Sequence, residues 1–158
     1  MIVFDKEDLR SQEGMERAFR HYFDWMRLEC DGTFNAMLDA QFVSCDYEKK
    51  TVLVALDTKP WMTNPTSMVH GGITASVLDF TMGLLARFST TGYMTPTVSM
   101  EVSYLRPMPL GERVMAEAEI TMAGFSLCHA TAKAWTESAP EKLVATAAGS
   151  YFVTRRPD

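Results

Sequence analysis

Apolar side chains recur at spacings of three and four through residues 11–30. Met15, Ala18, Phe19, Tyr22, Phe23 and Met26 alternate with Glu16, Arg17, Arg20 and Asp24. That period predicts an amphipathic helix, which Asp31-Gly32 ends. Residues 34–46 and 51–57 are predicted as two strands around a turn at 47–50. Two prolines and several polar residues make 59–69 a loop. Residues 72–88 read as a helix that is apolar almost all round. Four strands follow, at 97–105, 113–122, 127–136 and 143–154. In the first, Val98, Met100, Val102 and Tyr104 alternate with Thr97, Ser99, Glu101 and Ser103. In the second, Val114, Ala116, Ala118, Ile120 and Met122 share one face; in the third, Cys128, Ala130, Ala132 and Ala134 do so.

A helix with no polar side is stable only when something wraps it. A curved antiparallel sheet would cover one side, and a second subunit the other. The many alanines in the last strands let a sheet approach a helix closely. The expected class is α+β, a sheet wrapped around a central apolar helix, with an additional N-terminal helix. The alternative is a plain α+β sandwich with the helix on one face and no partner. A chain of 158 residues suits a single domain, here an N-terminal helical extension at 1–32 and the sheet-and-helix unit at 33–158.

Composition narrows the function classes. The mixture of 47% hydrophobic and 22% charged residues is ordinary for a globular protein. A net charge of -5 gives no global pull toward nucleic acid or anionic membrane. Cys30, Cys45 and Cys128 lack paired spacing and read as reduced thiols of a cytoplasmic protein. None of the three His stands at ligand spacing from a Cys, so no zinc site is expected. The first ten residues carry acids and no basic-then-apolar pattern, so they are not expected to be a leader. No segment reaches the roughly 18 apolar residues of a membrane span, because Asp79 interrupts the one that comes closest.

The candidate chemistry centres on that helix. Between Gly72 and Ala86 the one ionisable side chain is Asp79, and His70-Gly71-Gly72 stands in front. Free N–H groups at a helix start carry the positive end of the macrodipole, and glycine leaves them open to a ligand. The pair Gly71-Gly72 is therefore either a tight turn or an oxyanion site. Asp79 either hydrogen-bonds a neighbouring strand across a polar gap or serves as a catalytic carboxylate. Asp79 lies seven or eight residues past the glycines, about 11–12 Å along a helix. Within one chain that is too far for both to act on one carbonyl. If they cooperate, the glycines of one chain face Asp79 of another across a two-fold axis, and function requires a homodimer.

Asn64, then His70-Gly71-Gly72, then Asp79 and the hydroxyl at Thr97 resemble the hotdog-fold acyl-CoA thioesterases of the phenylacetate-pathway (PaaI-like) type. The stretches SYLRPMPLGE (103–112) and AAGSYFVT (147–154) add to the likeness, which covers roughly residues 33–154. The resemblance implies a helix "sausage" in a sheet "bun", and dimers that pair into homotetramers. It implies hydrolysis of an acyl- or aroyl-CoA to the free acid and CoA, with no cofactor beyond the coenzyme A of the substrate. Asp79 would be general base or nucleophile. The N–H of Gly71, with Gly72, would polarise the thioester carbonyl from the partner subunit. Asn64 and Thr97 would position the water or the carboxylate. His70 would hydrogen-bond the thioester or hold the loop. Arg87, Arg106 and Lys133 are candidates for the phosphates of CoA, or else solvated charges. Trp61 and Met62 would line the acyl pocket, and the N-terminal helix would pack over the sheet or shape that pocket.

Two other readings compete. A hotdog hydratase puts its Asp ahead of its His, the reverse of the order here. A non-catalytic acyl-CoA-binding or regulatory hotdog protein needs no base, which leaves Asp79, Asn64 and Thr97 together unexplained. No GxSxG elbow offers a serine nucleophile.

Overall fold

The computed structural model describes Phe4, residues 8–90 and residues 93–154. The stretch read above as lacking a leader falls mostly outside the described residues, as do residues 155–158. Three helices are α1 (Gln12–Glu29), α2 (Phe34–Leu38) and α3 (Gly71–Ser89). Six strands are β1 (Gln41–Asp46), β2 (Thr51–Asp57), β3 (Thr97–Tyr104), β4 (Arg113–Ala123), β5 (Leu127–Thr136) and β6 (Leu143–Phe152). The strands form one antiparallel sheet in the order β1-β2-β4-β5-β6-β3.

The inner face of the sheet is built from small residues. Ala116 and Ala118 of β4, Ala130 and Ala134 of β5, and Ala145 of β6 are all buried. Their short side chains let α3 lie against β4, β5 and β6, burying Val77, Leu78, Met82 and Leu85. This is the wrapped helix that the hydrophobic pattern predicts.

Helix α1 starts at Ser11, whose hydroxyl accepts from the Gly14 N–H at 3.0 Å. Its aromatic face packs into the same core. The Phe19 ring stands 5.1 Å from Phe88 of α3 and 5.7 Å from Phe42 of β1, centroid to centroid. Phe23 meets Phe80 of α3 edge-on at 5.8 Å.

Two details depart from the sequence pattern. Residues 34–46 are not one strand. Thr33 caps the Ala36 N–H, residues 34–38 make a helical turn, and Asp39 in the left-handed conformation (φ 55°) closes it before β1 begins. No β-branched residue in Phe34–Leu38 opposes that turn. Met122 does not share the buried face of β4, because the pairing with β5 slips between Ile120 and Met122 and turns it out to solvent.

Cys30, Cys45 and Cys128 are free thiols. Burial pushes Cys45 and Cys128 up to about 11, so both stay protonated near neutral pH. No described helix is long and apolar enough to cross a membrane.

Candidate active site

Asp79 projects from the middle of α3, half-buried. Its Oδ1 accepts from the Thr97 hydroxyl at 2.7 Å and from the Tyr151 hydroxyl at 3.1 Å. Among the described residues nothing donates to Oδ2. The carboxylate opens on a cleft of about 580 Å³. One wall is α3, with Phe80 and Leu84; the opposite wall is Trp25 and Met26 of α1 and Phe34 of α2.

Thr97 reaches Asp79 because β3 carries a bulge. Thr97 pairs with Tyr151, but the next paired residue is Ser99, opposite Ser150, so Val98 is extra. From Ser99 onward the strand alternates normally, and Met100 and Val102 face inward opposite Gly149 and Ala147. Strict alternation would turn Thr97 away from α3. The extra residue turns it back.

The start of α3 is built by the loop before it. His70 is the N-cap, and its Nδ1 accepts from the Gly72 N–H at 2.8 Å. Among the described residues the Gly71 N–H meets no acceptor, while the Gly71 carbonyl accepts from the Tyr104 hydroxyl at 3.0 Å. Asn64 ties the loop together. Its Oδ1 accepts from the Thr66 N–H, the Thr66 hydroxyl and the Met68 N–H at 2.7–3.2 Å. Gly71 and Asn64 line a second cleft, of about 410 Å³, with Tyr104 and Arg106. Arg106 is exposed there and donates to the Leu143 carbonyl at 2.7 Å. The two clefts share no lining residue. Gly71 and Asp79 stand eight residues apart on one helix, about 12 Å. A single chain thus holds a carboxylate in one cleft and a free helix-start N–H in another.

Residues 66–142 match the family model of the Thioesterase superfamily. The medium/long-chain acyl-CoA thioesterase YigI of Escherichia coli K12 is 31% identical over 123 residues, which cover 68% of this chain and 77% of that protein. The chain belongs to the thioesterase superfamily. Solved structures give the fold of this thioesterase. Zebra fish thioesterase superfamily member 2 aligns with a TM-score of 0.72 at 19% identity, over 85% of this chain and 96% of that one. The PaaI protein of the Escherichia coli phenylacetic acid degradation operon aligns at 0.69 and 18%, over 85% and 95%. The fold is the hotdog fold, and the chain is a thioester hydrolase.

Trp61, Met62 and Lys133, three of the expected residues, line neither of these two clefts. Met62 is fully buried in the core, and Trp61, 44% exposed, lines neither cleft. The 3-10 turn at Pro60–Met62 sends them to opposite sides of the loop. Arg87 is not a solvated charge. It lies buried two turns beyond Asp79, with its guanidinium 5.3 Å from the Phe4 ring centroid, and it lines the Asp79 cleft. Burial holds it below the usual guanidinium range. Lys133 pairs with Glu117 at 2.7 Å, lining neither cleft. Gly72 is exposed, with its N–H already taken by His70.

The hydrophobic pattern gives no role to two tyrosines that bond these residues, Tyr151 to Asp79 and Tyr104 to Gly71. Tyr151 shares the inner face of β6 with Ala145, Ala147 and Gly149, one large polar-tipped residue among small ones. That contrast is a signal a residue-by-residue reading of β6 could have used. Tyr104, on the exposed edge strand, carries no comparable signal.

Proposed function

We propose that this thioesterase hydrolyses acyl-CoA thioesters at a site shared between two copies of the chain. Asp79 of one copy supplies the carboxylate, which activates water or attacks the thioester carbon itself. The Gly71 N–H of the second copy, at the positive end of α3, receives the carbonyl oxygen as it gains negative charge. When water attacks, Asp79 takes its proton, the tetrahedral centre collapses with cleavage of the C–S bond, and the departing thiolate takes a proton to leave as CoA. When Asp79 attacks, collapse expels the thiolate and leaves a mixed anhydride, which a water then hydrolyses to the free acid, supplying the proton that CoA takes.

The observation that carries this reading is the split between the clefts. Asp79 is oriented by two hydroxyls, yet the free Gly71 N–H is about 12 Å away along the same helix. A two-fold axis between antiparallel α3 helices would bring each carboxylate to the other's N-terminus. The edge strand β3 suits such an axis. Among the described residues it pairs only with β6, and its Val98 and Tyr104 are 59% and 56% exposed. Dimers of this kind would pair further into tetramers.

The acyl group would run along α3 from Asp79 past Phe80 and Leu84, roofed by Trp25 and Phe34. This apolar lining suits the medium and long chains that YigI is named for. Arg106, exposed beside Gly71, would meet the phosphates of CoA. Asn64 and His70 hold the loop that presents Gly71, and Thr97 orients Asp79. The free thiols fit a reducing, cytoplasmic compartment.

A panel of acyl-CoA substrates from acetyl to long-chain and aromatic, read by release of free thiol, tests the activity and its class together. Medium and long chains are expected to turn over fastest. Asp79→Asn should lower kcat by roughly a hundred- to ten-thousandfold and leave the circular dichroism spectrum unchanged. Normal turnover by that variant would make Asp79 structural.

A further inference from the structure

We infer that Tyr151 is a positioning residue for the reaction: with Thr97 it fixes Oδ1 of Asp79, so that Oδ2 is the oxygen that meets the water or the thioester. This assignment rests on the reading of Asp79 as the catalytic carboxylate.

The geometry around the phenol is specific to that task. Thr97 at 2.7 Å and Tyr151 at 3.1 Å donate to the same oxygen, using both of its lone pairs. Two donors from two different strands fix the rotation of the carboxylate about its Cβ–Cγ bond. Oδ2 receives no hydrogen bond among the described residues, while the side chain lines the open cleft.

The chain also clears a path for the ring. A Cβ on Gly83 of α3 would stand 3.3 Å from the Tyr151 ring. A Cβ on Gly149 of β6 would stand 3.0 Å from both the ring and the hydroxyl. Glycine weakens a helix interior and a strand interior alike. Here both elements carry one where the phenol passes, although aliphatic packing would fill the slot without them. The ring is fully buried, so its hydroxyl must find a partner inside the protein. Two acceptors of Asp79 lie in reach, the backbone carbonyl at 3.4 Å and the carboxylate, nearer, at 3.1 Å. Burial first, and then the charge of Asp79, push this phenol far above its ordinary value. Tyr151 is therefore held in its protonated, hydrogen-bond-donating form near neutral pH.

Tyr151→Phe keeps the ring and removes the donor. A lost hydrogen bond to a charged group predicts a fall in kcat of roughly ten- to hundredfold with KM within about twofold. Gly149→Ala keeps the donor and crowds it. It should lower kcat in the parent chain and lower that of Tyr151→Phe by much less, because the hydroxyl it displaces is already gone and only the ring contact remains. A merely structural role predicts the opposite, with two effects that multiply and lowered melting temperatures that account for them. Tyr151→Phe turning over within about twofold of the parent, beside an inactive Asp79→Asn, would overturn the positioning role and leave the Asp79 reading standing. An active Asp79→Asn would overturn both. Should Tyr151→Phe fail to fold, Gly149→Ala alone decides: a lowered kcat with unchanged KM supports the role, and an unchanged kcat contradicts it.

Discussion

At the scale of single residues, Asp79 and the loop before α3 are held by separate sets of hydrogen bonds. The carboxylate is held by Thr97 and Tyr151, whereas Asn64 spends its side-chain oxygen on the Thr66 and Met68 backbone and on the Thr66 hydroxyl. In the proposed site Asn64 would act on Gly71 through the loop. Asn64→Ala is expected to lower the melting temperature by a few degrees, the shift that a loss of about 1 kcal/mol produces in a domain of this size. It should also slow hydrolysis by less than Asp79→Asn does; a variant as inactive as Asp79→Asn would place Asn64 at the reacting atoms. Tyr151 makes a separate prediction about stability. Its ordinary value is 10.0, and burial holds the folded-state value well above that. Below about pH 10 both states keep the proton and nothing changes. Above it, the unfolded chain releases the proton while the folded chain retains it, so stability falls as pH rises. Urea denaturation between pH 8 and 11 should show that decline on top of the one from Cys45 and Cys128, which burial raises from 9.0 to about 11, and Tyr151→Phe should make it shallower above about pH 10. An equal decline in the variant would assign the whole effect to Cys45, Cys128 and Tyr22, which burial also raises.

At the scale of elements, period and capping made most of the fold legible. The apolar α3 and the alternating β4, β5 and β6 follow directly from where hydrophobic residues recur. What was not legible depends on single departures from period. Thr97 belongs, by alternation, with Ser99, Glu101 and Ser103 on the outward face of β3. Only the extra residue Val98 brings it to Asp79, and nothing in the composition of 97–104 marks a bulge. The turn of helix at Phe34–Leu38 is likewise set by a Thr33 cap and a left-handed Asp39, each too local to show in a hydrophobic pattern. Its consequence reaches the site, because α2 and α1 together roof the Asp79 cleft. Trp25→Ala should therefore raise KM for acyl chains long enough to reach the roof, by about tenfold for a lost aromatic contact, and leave acetyl-CoA unchanged. Equal effects on short and long chains would remove α1 from substrate recognition.

At the scale of the whole molecule, the composition of the site is the open question. One chain presents a carboxylate without an oxyanion donor beside it, and a free N–H without a carboxylate beside it. Substitution at Gly71 can remove the donor cleanly. Proline lacks an N–H and is favoured at the first position of a helix. His70, at φ -61° and ψ 139°, already has the extended conformation that precedes proline. A Cβ at Gly71 would make only ordinary contact with Tyr104, at 3.4 Å. Gly71→Pro and Asp79→Asn chains should each be inactive alone. Unfolded together and refolded as a mixture, they form dimers of which half are mixed, and each mixed dimer holds one intact site. The activity predicted for an equal mixture is about a quarter of the parent enzyme's. No recovery in dimers shown to be mixed, or full activity of the Gly71→Pro chain alone, would contradict a site shared between subunits.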